Sequence, residues 1–126
     1  MNVVDSSAWL EWFAAGPNAD HFATAIEDED RLLVPTIVVY EVFKNLRSQT
    51  DESTALRAVG VLRRGQLVNI DADLALAAAG VSLEVGLPMA DSLILAVARH
   101  HDATLWTQDG DFEGLDGVEF RERVPG

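Results

Sequence analysis

Short apolar runs alternate with longer stretches of helical periodicity along the whole chain. The first run, Asn2-Val3-Val4, stops at Asp5, and Ser6 or Ser7 can then cap a helix that carries Trp9, Leu10, Trp12 and Phe13. Gly16-Pro17-Asn18 breaks that helix, and Asn18 is placed to cap a second one running to about residue 28. The pattern then predicts a strand at 31–35, a helix at 36–47 and a helix capped by Asp51 that reaches residue 64. A strand at 67–70 leads to Asp71, which caps an alanine-rich helix ending near 85. After Gly86-Leu87-Pro88 come a helix at 89–101, a strand at 104–107 and a last edge strand at 118–120. Strands alternating with helices imply parallel βαβ units, and so an α/β fold: a three-layer α/β/α sandwich on a mainly parallel central sheet. No repeat, linker or low-complexity tract interrupts the pattern, so residues 1–126 read as a single domain.

Composition narrows the chemistry. With 126 residues, 48% of them hydrophobic, the chain can fill one real core. It has no cysteine, which excludes disulfides, zinc–thiolate sites and thiol nucleophiles. The first residues carry no basic segment and no long apolar run, and no window nears the length of a membrane span, so the expected location is cytoplasmic. Twenty-one acids against nine bases give a net charge of −12. A field of that sign repels nucleic acid, so a partner for this surface is expected to be basic.

Most of the acids have ordinary explanations. Glu27, Asp28, Glu29 and Asp30 form a solvated run, Asp51 and Asp71 are caps, and Glu119 and Glu122 lie in a polar tail. Four do not fit. Asp5 and Asp109 each stand where an apolar strand stops, at opposite ends of the chain, and carboxyl ends of strands are where open α/β sheets bind ligands. Asp91 lies in an apolar helical stripe with Leu87, Ile94 and Leu95, and Glu41 follows Ile37 and Val38 on another. A carboxylate inside such a stripe is costly unless paired or bound to a metal. Taken singly, each has a bland reading: a turn or cap for Asp5 and Asp109, a helix dipole for Asp91, a bridge to Lys44 for Glu41. Together they predict an acidic pocket above one sheet edge, suited to a divalent cation with oxygen ligands.

Four segments, Val3-Val4-Asp5-Ser6-Ser7, Val34-Pro35-Thr36-Ile37-Val38-Val39-Tyr40-Glu41, Ala90-Asp91-Ser92-Leu93-Ile94-Leu95-Ala96 and Thr107-Gln108-Asp109-Gly110-Asp111-Phe112, resemble the acidic motifs of PIN domains. Their order, their spacing and the length of the chain resemble the VapC toxins of type II toxin–antitoxin pairs. The resemblance implies a Mg2+- or Mn2+-dependent endoribonuclease neutralised by a VapB-type antitoxin. It implies that Asp5, Glu41, Asp91 and Asp109 are the catalytic and metal-binding acids, with Asp5 and Asp91 the most direct ligands. Ser7, Thr107 and Asp111 then take supporting roles. Trp106 departs from the pattern, since the family carries a smaller aliphatic there; if Thr107 faces the site, Trp106 faces away.

RNA must still be held by an acidic chain. Five of its nine bases, Lys44, Arg47, Arg57, Arg63 and Arg64, fall between residues 44 and 64, and Lys44 and Arg47 are the candidate phosphate contacts. His21, His100 and His101 fit no nucleophilic role and are expected at structural or surface positions. The Trp9, Leu10, Trp12 and Phe13 cluster exceeds what one short helix buries easily, so it predicts core packing or a surface for a homodimer or the antitoxin. Two competing readings share these acids: a PIN-like binding module with a structural metal ion, and another metal-dependent phosphoryl-transfer enzyme. Haloacid-dehalogenase-type enzymes need a second Asp two residues after the first, where this chain has Ser7, and Asp5-Ser6-Ser7-Ala8 lacks the glycines of a dinucleotide site.

Overall fold

The computed structural model describes residues 1–125. Five strands form one sheet: β1 (Asn2–Val4), β2 (Leu32–Pro35), β3 (Gln66–Val68), β4 (Thr104–Thr107) and β5 (Val118–Phe120), in the order β3-β2-β1-β4-β5. All four pairings are parallel, with Val3 opposite both Leu33 and Leu105. Val3 and Val4 point to opposite faces of the central strand and both are fully buried. Both faces of the sheet are therefore covered, which is the expected three-layer sandwich and explains why β1 and β2 read as unbroken apolar runs.

The six helices are α1 (Ser6–Phe13), α2 (Ala19–Ile26), α3 (Thr36–Gln49), α4 (Glu52–Leu62), α5 (Ala72–Val85) and α6 (Met89–His100). Asp51 and Asp71 cap α4 and α5 as expected, accepting from the amides of Thr54 and Leu74. Gly86 ends α5 in the left-handed region at φ 83°, a conformation available without strain only to glycine. Trp9, Phe22, Leu33, Leu62, Ile94, Leu95 and Phe112 fill the core.

Two expected caps differ. Neither Ser6 nor Ser7 caps α1; Asp5 does, accepting from Ala8 N at 3.0 Å, because the strand-end residue itself is the extended residue before the first turn. Asn18 precedes α2 but makes no side-chain cap there. Its amide is buried and donates instead to Gln108 Oε1 at 3.1 Å and to the carbonyl of Glu122 at 3.0 Å. Element ends shift by a few residues. The second helix stops at Ile26, and Glu29–Arg31 makes a separate 3-10 turn before β2. The third strand ends at Val68, short of Ile70.

Chain direction in the sheet reverses beside β1: the chain runs outward through β2 and β3, then returns to place β4 on the other side. That reversal opens a crevice at the carboxyl ends of β1 and β4, the place where open α/β sheets bind ligands.

Candidate metal centre

Asp5 leaves β1 directly into this crevice and is 2% exposed. Its Oδ1 accepts from Ser7 Oγ at 2.7 Å and from Ala8 N, and its Oδ2 accepts from Thr107 Oγ1 at 2.6 Å. Burial raises its pKa to about 6, against the lowering effect of these three donors, and the Asp109 charge adds a smaller push upward. Thr107, the last residue of β4, also accepts from the amide of Asp109 at 2.9 Å. Asp109 in turn caps a 3-10 turn, Gly110–Phe112, by accepting from Asp111 N at 3.0 Å. The ends of the two central strands are thus stitched together through carboxylates and one buried threonine.

Pro35 ends β2 and starts α3, whose second turn carries Glu41 into the same crevice, where Ser6 Oγ donates to Glu41 Oε1. Pro88 starts α6, whose first turn carries Asp91. Asp91 is half-buried. Desolvation raises its pKa to about 7, reinforced by the charges of Asp109, Asp5, Glu41 and Asp111. The structure therefore brings together all four expected acids, and Asp111 joins them. One carboxylate oxygen from each of Asp91, Asp109 and Asp111 lies within 4.8 Å of the others. Among the described residues no basic side chain forms an ion pair with any of these five acids, and the bridge considered between Glu41 and Lys44 is not formed. Five carboxylates without a cation repel one another, and a hard divalent ion with oxygen ligands fits this donor set.

Asp111 was expected only as a support, yet it shares with Asp91 and Asp109 the group of carboxylate oxygens placed to hold an ion among the described residues. Asp5, expected as a direct ligand, has both oxygens engaged by hydrogen-bond donors. Ser7 and Thr107 do face Asp5. Trp106 points elsewhere: its indole donates to Asn2 Oδ1 at 2.9 Å and its ring lies 5.1 Å from that of His21.

Two polar residues to which the sequence analysis assigned no role in the site, Gln108 and Asn18, support it from behind. Gln108, 3% exposed, lies within 3.4 Å of both the hydroxyl and the carbonyl of Ser7, and Asn18 holds its far end. Of the five clustered bases, only Lys44 and Arg47 share α3 with Glu41. Arg57 is on α4 beside Thr54, Arg63 is the residue after α4, and Arg64 lies 4.0 Å from Glu29. His21 sits 3.7 Å from Glu119, with a pKa lowered by burial and by Arg121, while His100 and His101 end α6.

The sequence profile of the PIN domain matches residues 3–118, and the chain belongs to that family. Solved structures with the same fold include a toxin–antitoxin complex from Klebsiella pneumoniae, at 23% identity and a TM-score of 0.79 over 94% of this chain and 96% of that one. VapC20 from Mycobacterium tuberculosis, described as a sarcin–ricin loop cleaving toxin, matches at 18% identity and a TM-score of 0.74 over 89% and 92% of the two chains. The DNA-bound VapBC of Salmonella typhimurium matches at 14% identity and a TM-score of 0.74 over 96% of each. A sequence comparison with curated proteins finds no match.

Proposed function

We propose that this chain is a VapC-type toxin, a metal-dependent endoribonuclease that acts in the cytoplasm and hydrolyses RNA phosphodiester bonds. The observation that carries the reading is the convergence of Asp5, Glu41, Asp91, Asp109 and Asp111, without a basic partner, at the reversal point of the sheet. The similarity in fold to toxin–antitoxin proteins supports it.

In this reading Asp91, Asp109 and Asp111 hold Mg2+ or Mn2+ through the oxygens they turn toward one another, and Asp5 and Glu41 complete the acidic shell. The bound ion supplies charge neutralisation at the phosphoryl oxygens and makes water a usable nucleophile at neutral pH. The chain's own work is positioning. Thr107, Ser7 and the Ala8 amide fix Asp5, Ser6 orients Glu41, and the 3-10 turn fixes Asp109 against Asp111. No histidine, serine or cysteine nucleophile enters. The test is direct: cleavage should vanish in excess EDTA and return with Mg2+ or Mn2+. Cleavage that persists in chelator, with contaminating nuclease excluded, would sink the reading.

A toxin needs a partner. Trp9 is fully buried in the core and Trp12 packs against it, the core-packing outcome expected for part of the aromatic cluster. Leu10 and Phe13, however, line an apolar groove of about 620 Å3 with Leu46, Ala58 and Val61. This groove is the proposed seat for an antitoxin segment, whose basic side chain could reach the unpaired acids and block metal or phosphate. Leu76, Leu83 and Met89 stand 72%, 88% and 75% exposed on α5 and the start of α6, and they are the proposed contact for a second copy of the chain. Expression of the chain alone should arrest growth, and co-expression with a small neighbouring antitoxin should restore it. Light scattering on the chain alone should give about twice 13.7 kDa. A harmless monomer with no partner would leave only fold and metal standing.

A further inference from the structure

Tyr40 precedes Glu41 on α3, and it is 57% exposed although it is the chain's only tyrosine and its ring is large and flat. Positions 40, 43, 44, 47 and 48 recur at helical spacing on one face of α3. There Tyr40, Phe43, Lys44, Arg47 and Ser48 line an open cavity of about 670 Å3. The cavity wall contains two cations and no acid, in a chain whose net charge is −12. Lys44 Nζ stands 5.6 Å from the Tyr40 ring centroid and 3.5 Å from its hydroxyl, so a positive charge is held beside an exposed aromatic face. A second hollow of about 320 Å3 shares Tyr40, Lys44 and Ser48 with the first and adds Glu41 and Asn45. Glu41 of the acid cluster therefore borders a hollow that shares three residues with the basic, aromatic cavity.

We propose that this face of α3 is a nucleotide subsite for single-stranded RNA: Tyr40 stacks one unpaired base, and Lys44 and Arg47 take the phosphate beside it. The proposal rests on the nuclease reading for its choice of ligand. The volume falls within the range of small-molecule sites. Base–aromatic stacking combined with cationic side chains along the backbone is the general means of holding single strands, and it requires a base splayed out of any duplex. It also accounts for how a strongly acidic protein holds RNA, since the only cations needed lie one helical turn or two beyond Glu41.

The test measures binding and cleavage of one labelled single-stranded RNA side by side, by fluorescence anisotropy and by steady-state kinetics. Tyr40→Ala should weaken binding and raise KM about tenfold, the size of one lost stacking contact, with kcat little changed. Tyr40→Phe keeps the π face and should restore the affinity. An abasic RNA, lacking the base next to the cut, should bind wild type and Tyr40→Ala equally. Lys44→Ala and Arg47→Ala should each reduce the slope of log K against log salt by about 0.7. Unchanged KM in Tyr40→Ala, an equal loss on abasic RNA, or a change in particle mass caused by Tyr40→Ala would overturn the subsite. The two readings fail separately. A chain that cuts RNA with no dependence on Tyr40 keeps the nuclease and loses the subsite, whereas one that binds RNA through Tyr40 without cutting keeps the subsite and loses the nuclease.

Discussion

Asp91→Asn is expected to lower RNA cleavage by at least about 100-fold and, in the same protein, to raise the melting temperature measured without metal. The first effect follows from removing a ligand from the Asp91, Asp109 and Asp111 group. Charge stabilisation by a bound cation contributes several kcal/mol to such reactions, which corresponds to two or more powers of ten in rate. The second follows from the surroundings of Asp91. Burial raises its pKa first, four other carboxylates add to the rise, and no cation among the described residues pairs with it. Asparagine keeps the shape and removes the charge.

One effect opposes the gain. Asp91 lies in the first turn of α6, where the helix dipole favours an anion by about 0.3–1 kcal/mol. The repulsion acts from four charges and the dipole from one helix end, so the repulsion should prevail. Because Asp91 is half-exposed, solvent screens the interaction, and the net gain should be about 1 kcal/mol. That is roughly 3–5 °C in melting temperature for a domain of this size. Calorimetry in EDTA and steady-state kinetics on the same preparation separate the two effects. A melting temperature several degrees lower would show that Asp91 supports the fold instead.

The acid cluster was legible because its members break local patterns. Asp91 interrupts an apolar stripe, Asp5 directly follows the buried Val3-Val4 pair, and Asp109 stands just past the end of β4, so each carried a cost that demanded a reason. The strands themselves were legible because burial on both faces leaves no polar alternation in β1 and β2. Asn18 and Gln108 were not legible. One reads as a helix cap and the other as a turn residue, and only the pairing of β4 with β1 brings them together behind Ser7. The cap of α1 went to Asp5 because a strand-end acid can serve a helix and a site at once, a double role that spacing alone cannot show. Tyr40 was hidden for the opposite reason. An aromatic between Val39 and Glu41 blends into an apolar helix, and its exposure depends on which face α3 turns to the sheet. Leu76 and Leu83 lie in an alanine-rich helix whose sequence pattern marks no exposed face, and the structure leaves both in solvent.

Between about pH 4 and pH 7 the metal-free protein is expected to lose stability as the pH rises. In the unfolded chain Asp5 and Asp91 give up their protons near the ordinary aspartate value of 3.8, while the folded pKa values lie at about 6 and about 7. Over that interval the folded state binds more protons than the unfolded state, so the slope of unfolding free energy against pH is negative. The protonated cluster's advantage is present in full below about pH 4 and gone above about pH 7. Asp5 is wholly buried, and its part is on the order of 3 kcal/mol. Asp91 adds a smaller part in the same direction, reduced by its exposure. Asp51, whose pKa is lowered chiefly by the Thr54 amide, acts in the opposite sense but is fully exposed and weakly so. Saturating Mg2+ should reverse the trend, because a cation binds the deprotonated carboxylates and stabilises only the fold that assembles them. Melting temperatures taken in EDTA should fall from about pH 5 to about pH 8, while the gain from added Mg2+ should grow over the same interval. A flat profile in EDTA, with no response to Mg2+ at the higher pH, would mean that the five carboxylates neither repel one another nor bind a cation.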